Sequence, residues 1–187
     1  MSPEFPVLTQ PGWTNSGPGH WQSLWERAHP DWRRVEQRDW EQPQREEWVQ
    51  TLVAAIAAAP RPVVLIGHSI GVITIAHAAA AALAHTHARI AGAFLVAPAD
   101  VEAPGVAQEV RSFAPIPRAR LPFPSVLVAS RDDAWCSFAR AQELARDWGS
   151  ELVDAGHADH LHTAAGYGPW PEGLARFKAF EASLPNP

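Results

Sequence analysis

The sequence has a single cysteine, Cys136, which excludes an internal disulfide. It has no basic block or stripe. Lys and Arg number 15 against 20 Asp and Glu, scattered along the chain for a formal net charge of −5, so nucleic acid is not an expected partner. Long apolar runs are also missing. The longest, Ala76–Ala84, is made mostly of small residues and contains His77, so no membrane span is expected. The opening residues, Met1-Ser2-Pro3-Glu4-Phe5, have no basic segment leading into an apolar one, so no secretory signal is expected and a cytoplasmic setting is the default. No internal repeat is present.

What remains is 187 residues, 47% hydrophobic and 19% charged, a globular composition long enough for one well-buried core and read as one domain over 1–187. Short β-rich runs alternate with helical patterns, which predicts an α/β fold, a three-layer α/β/α sandwich around a mostly parallel sheet of about six strands. Strands are expected near Phe5–Gln10, Arg33–Gln37, Pro62–Gly67, Ile90–Ala97, Ser125–Ser130 and Glu151–Asp154. The unbroken run Val63-Val64-Leu65-Ile66 marks a central strand buried on both faces. Helices are expected from Pro43 onward, with Trp48, Leu52 and Ile56 four apart, then from about Ile70 to Ala84, from Phe138 to Trp148, and from Pro171 through Leu174 and Phe177 to Leu184.

Between the buried strand and the Ala-rich helix stands Gly67-His68-Ser69-Ile70-Gly71. This G-x-S-x-G pattern, in a strand-to-helix context, is the signature of a nucleophile elbow. The abrupt turn forces the serine into a strained conformation, and small residues on either side remove the side chains that would clash. Ser69 is therefore the candidate nucleophile. The Ile70 N–H, at a helix start that favours negative charge, is a candidate oxyanion donor.

Such a serine needs a base, and the base an orienting acid, in the chain order Ser, Asp or Glu, His. After Ser125–Ser130 come Asp132 and Asp133, and spacing does not choose between them. After Glu151–Asp154 come His157, His160 and His162, with Asp159 among them. The base belongs to this cluster. The same cluster also has a metal reading, with His157, Asp159, His160 and His162 as zinc ligands, although no second His/Asp cluster exists to complete it. His77, His85 and His87 are expected on the surface, and His68 in a packing or hydrogen-bonding role.

With these residues assembled, the chain resembles the YdeN and retinoblastoma-binding-protein-nine family of small serine hydrolases. The resemblance runs over Pro11–Pro18 with His20-Trp21-Gln22, over Arg34–Trp40 with Trp48-Val49, and over the Ser69 elbow. It continues through Ser130-Arg131-Asp132-Asp133 and from Trp148 to Gly173. It implies a minimal α/β-hydrolase fold without a large lid, an acid at Asp133 with Asp132 as the alternative, and a second oxyanion donor at the backbone of Trp13 or Thr14. The family histidine follows a glycine and precedes x-Asn. Ungapped alignment to Gly166 places it at His160, and a gap would place it at His157. The chain departs from the pattern in carrying Asp159 where glycine is usual and His162 where asparagine is expected.

The expectation is a carboxylesterase-like enzyme without metal or organic cofactor, acting on a small ester or related acyl substrate. Its rate should rise over about pH 6–8 as the base becomes neutral. The short, proline-containing segment Pro98–Leu121 stands where larger relatives of the fold insert a lid, which predicts an open site suited to short acyl chains. Of the nine tryptophans, Trp13 and Trp135 are placed near the pocket. A catalytically inactive binding protein and a metal-dependent hydrolase are the alternatives, the former because the family name refers to a protein partner.

Overall fold

Along Val63–Ser69 the side chains alternate between two apolar clusters, as a strand covered on both faces requires. Val63 and Leu65 pack with Leu52, Ile56, Ile73 and Leu144, while Val64 and Ile66 pack with Trp21, Trp25, Phe94 and Phe177. The computed structural model describes residues 5–81 and 84–185, without the side chains of residues 84 and 85. The expectation for His85 therefore lies outside the described residues.

In chain order the elements are β1 (Val7–Gln10), α1 (Trp21–Ala28), β2 (Arg33–Arg34), α2 (Arg45–Ala58), β3 (Val63–Ser69), α3 (Ile70–Ala81), α4 (Ala84–His87), β4 (Ile90–Pro98), β5 (Ser125–Ala129), α5 (Phe138–Trp148), β6 (Glu151–Asp154) and α6 (Pro171–Ser183). Short 3-10 turns lie at Gln108–Phe113 and Thr163–Ala165. The strands form one sheet in the order β2-β1-β3-β4-β5-β6, with every neighbouring pair parallel. Helices α2, α3 and α5 cover one face, while α1 and α6 cover the other. This is a three-layer α/β/α architecture, and the C-terminal ends of all six parallel strands open toward one edge, where ligands bind in such sheets.

Differences from the sequence reading have local causes. β2 is two residues long, not five: Val35 N–H still bonds Thr9 O, but the next donor along β1 would be Pro11, which has no N–H, and the pairing ends there. α2 begins at Arg45, two residues beyond Pro43, with Gln44 as its N-cap. α1 was missed. Its cap is His20, whose Nδ1 accepts the Gln22 N–H, and histidine is not a common cap. The signal it did offer was Trp21 and Trp25, four apart and both buried. His77 and His87 are half-buried, not on the open surface, because their Nε2 atoms bond the carbonyls of Phe113 at 2.7 Å and Ala79 at 2.8 Å. Among the described residues, no helix is long and apolar enough to cross a membrane.

α3 crosses β1 with almost no clearance. A Cβ on Gly71 would fall 2.1 Å from the Gln10 carbonyl oxygen and 2.6 Å from that of Pro11. Backbone, not a flexible side chain, stands in the way. Gly71→Ala should therefore lower the stability of the protein by about 2–3 kcal/mol, read as a shift in the urea midpoint at unchanged slope. An unchanged midpoint would contradict this packing.

Candidate active site

Ser69 closes β3 and opens α3 with φ = 56°, in the left-handed region that a non-glycine residue enters only under constraint. The constraint is the crossing just described. Gly12 approaches from the other side, where a Cβ would lie 2.7 Å from Ser69 Cβ and 3.3 Å from its Oγ. The glycines therefore let the two backbones close around the hydroxyl. Ser69 lines a pocket of about 290 Å³ together with Trp13, His20, His68, Trp135 and His160, and with Ala99 and Val110 as apolar wall. The Val110 wall comes from the Gln108–Phe113 turn, inside the short Pro98–Leu121 segment that stands where larger relatives insert a lid.

The two candidate acids diverge. Asp133 Oδ2 lies 2.8 Å from His160 Nδ1, with side chains 2% and 6% exposed. A carboxylate only accepts, so Nδ1 carries the proton and Nε2 keeps the lone pair that a base uses. Asp133 Oδ1 takes the Trp135 N–H at 2.8 Å, which fixes the acid in turn. Asp132 instead accepts the Ser130 hydroxyl at 2.7 Å and the Asp159 N–H at 2.9 Å. These bonds, led by Ser130, hold its carboxyl below the usual aspartate range. His157 is 76% exposed, with its Nδ1 3.7 Å from Asp132 Oδ2. Among the described residues, no three His, Cys, Asp or Glu side chains converge as metal ligands do.

Residues 158–162 are fastened from several elements. The Ala158 N–H reaches Ser130 Oγ at 2.9 Å, His68 Nε2–H donates to the His160 carbonyl at 2.9 Å, and Trp21 Nε1–H donates to the Leu161 carbonyl at 2.9 Å. His160 itself stands between two left-handed residues, Asp159 at φ = 47° and Leu161 at φ = 48°. This explains both departures from the family pattern. The position of Asp159 favours glycine, and aspartate serves because its Oδ1 accepts the His160 N–H at 2.7 Å. His162 caps the Thr163–Ala165 turn by accepting the Ala165 N–H on Nδ1, as an asparagine would with its side-chain oxygen.

The loop after β1 is held with equal care. Arg34 bonds Asn15 Oδ1 at 2.9 Å and the Ser16 carbonyl at 3.0 Å, and pairs with Glu26 at 2.8 Å. Thr14 N–H is committed to the Trp40 carbonyl at 3.0 Å, whereas Trp13 N–H has no protein acceptor among the described residues. Of the two backbone donors expected here, Trp13 is the free one. The Ile70 N–H stands at the start of α3, where helix N–H groups lack intrahelical partners.

His20 and His68 were not foreseen in the pocket wall. Burial holds the His68 pKa well below 6.5. Burial, with Arg34 and the neighbouring imidazoles, brings His20 down to about 3. His20 Nδ1 accepts a backbone N–H, so its proton sits on Nε2, which is buried without a partner. Both rings are thus neutral beside His160, at 4.8 Å from each other and with His68 4.9 Å from the His160 ring.

The comparisons agree with the architecture. The family model described as serine hydrolase matches residues 7–179, and the chain belongs to that family. A YdeN-like hydrolase of Pectobacterium atrosepticum is 37% identical over 97% of this chain and 94% of its own, with a TM-score of 0.85. The ydeN gene product of B. subtilis is 18% identical over 95% of this chain and 98% of its own, with a TM-score of 0.75. Esterase 2 of Thermogutta terrifontis shares the fold at 17% identity, over 96% of this chain and 83% of its own, with a TM-score of 0.69. No curated protein sequence matches the chain.

Folding must strip protons from His20 and His68 wherever the unfolded chain would hold them. Both folded pKa values lie below the free value of 6.5, so stability is full above that pH and falls as the pH is lowered toward about 3. His77, lowered by burial, acts in the same sense. Urea unfolding should show stability falling below about pH 6.5, by roughly 1.4 kcal/mol per pH unit for each histidine fully engaged. His20→Asn, which keeps a capping oxygen, should make that slope shallower by about one proton. A stability flat across this range would contradict the buried neutral pair.

Proposed function

We propose that the protein is a carboxylic ester hydrolase that works through an acyl-enzyme on Ser69. The observation that carries this reading is the short, buried His160–Asp133 bond in the wall of the pocket that Ser69 enters from its strained turn. His160 Nε2 takes the hydroxyl proton while Ser69 Oγ bonds to the carbonyl carbon. The oxyanion is held by the N–H groups of Ile70 and Trp13. The C–O bond to the alcohol then breaks, and His160 passes its proton to the departing oxygen. Water repeats the sequence with His160 as base, releasing the acid and restoring Ser69. Asp133 keeps the imidazole in the required tautomer and offsets the charge it gains. No step calls for a metal. His157 and Asp132 act outside this chemistry, as a surface pair and a brace for the base loop.

The substrate is a small ester. A pocket of about 290 Å³ accommodates a short acyl chain and a modest alcohol, and two fold neighbours bear the name esterase. Its only partner in this reading is that small molecule.

Steady-state hydrolysis of short-chain esters tests the roles. Ser69→Ala and His160→Ala should each lower kcat by at least about 1,000-fold, and Asp133→Asn by a similar order. His157→Ala should stay within about threefold of the parent. Loss of activity in the His157 variant, with His160→Ala active, would overturn the assignment of the base. Among acyl chains of rising length, acetate and butyrate esters should be turned over faster than long-chain ones, and the reverse order would contradict a small, short-chain site.

A further inference from the structure

Trp135 is the one large hydrophobic side chain that stands exposed among the described residues, at 40%, and it does so at the rim of the pocket. An exposed indole contributes little to the core, yet everything around it holds it in place. The main chain of Trp135 is fixed: its backbone N–H donates to Asp133 Oδ1 at 2.8 Å, and its backbone carbonyl accepts the Asp100 N–H at 2.9 Å. Its ring meets Trp13 edge to face, with centroids 6.2 Å apart and planes at 81°. Trp13 is anchored in turn by its Nε1–H on the Glu41 carbonyl at 3.0 Å. The result is an aromatic corner, Trp13 against Trp135, set on a fixed main chain and partly open to solvent.

Its place relative to the base decides what it meets. The Trp135 ring lies 5.9 Å from the His160 ring, tilted by 39°. On the reading given above, the proton taken from Ser69 is returned by His160 to the oxygen of the departing alcohol. That oxygen must therefore come within about 2.6–3.2 Å of His160 Nε2. Whatever is attached to it emerges beside His160, whose ring neighbours are His68 at 4.9 Å, Trp135 at 5.9 Å and His162 at 6.0 Å, and of these Trp135 is the large apolar ring with exposed surface to offer. Aromatic rings favour edge-to-face and offset contact over contact with saturated rings of the same size.

We infer that Trp135, backed by Trp13, is the leaving-group subsite and selects esters whose alcohol carries a planar aromatic ring close to the ester oxygen, such as benzyl esters. In acylation the Ser69 Oγ–acyl bond forms, the acyl–oxygen bond to the aryl-bearing alcohol breaks, and that alcohol leaves with the proton that began on Ser69. The acyl-enzyme left behind is the same for any alcohol. The preference therefore resides in kcat/KM and disappears in deacylation.

This inference rests on the ester hydrolase reading, and the test separates the two. Benzyl butyrate and cyclohexylmethyl butyrate share an acyl group and have leaving alcohols of similar size, but only one is planar; benzyl alcohol is also slightly the more acidic, and hydroxide-catalysed hydrolysis of the two esters supplies the intrinsic ratio by which each enzymatic ratio is divided. The parent protein should favour the benzyl ester by about three- to tenfold in kcat/KM. Trp135→Leu should bring the ratio to near one, and Trp135→Phe should restore most of it. A parent ratio near one, or a preference that survives Trp135→Leu, would overturn the inference. Hydrolysis of neither ester would overturn it too, and fluorophosphonate labelling of Ser69 then decides separately whether the serine hydrolase reading falls with it.

Discussion

The close crossing of α3 over the end of β1 is the constraint from which the site follows. With Gly71 hard against the carbonyls of Gln10 and Pro11, the chain leaving β3 has room only for a tight reversal, and Ser69 takes the left-handed conformation. The same crossing brings the loop after β1 over the hydroxyl, with Gly12 nearest. Ser69, the start of α3 and the loop after β1 are therefore one packing arrangement. The strain at Ser69, on the order of 1–3 kcal/mol, is sustained by a strand and a helix that are buried along nearly their whole length.

The second half of the site is polar and is built differently. β5 and β6 end side by side, and the turns beyond them are joined by Ser130, Asp132 and Asp133. His68 and Trp21 reach the same loop from the elbow and from α1. His160 is thus fixed at its ring by the acid and at its main chain by neutral donors. In the proposed mechanism the His160 imidazole accepts and gives up a proton within one cycle, and such a group benefits from neighbours whose own charge does not change. The burial of His20 and His68 provides this.

The parallel sheet, the elbow and the strand ends were legible in the sequence because each rests on local patterning: the Val63–Ile66 run, the glycines around Ser69, and acids and histidines placed just after strands. The choice of Asp133 over Asp132 was not legible from spacing. Both carboxylates turn toward the loop after β6, and the difference is that Asp133 meets the His160 ring while Asp132 is occupied by Ser130 and the Asp159 N–H. Nor could the sequence show that Asp159 and His162 stand in for glycine and asparagine by serving the same backbone needs. α1 and the pocket roles of His20 and His68 were hidden for a similar reason, since a histidine that caps, packs and donates looks in the sequence like any other. Of the eight histidines whose side chains are described, four lie outside the pocket wall, so count and position alone do not identify those that line it.

The central claim is that Ser69 is an activated nucleophile. Peptide mapping by mass spectrometry after treatment of the folded protein with a fluorophosphonate tests it most directly. A single covalent adduct is expected, on the peptide that contains Ser69, and none in folded His160→Ala protein over the same interval. A well-folded parent protein that stays unmodified, or that carries its adduct on another residue, would contradict it.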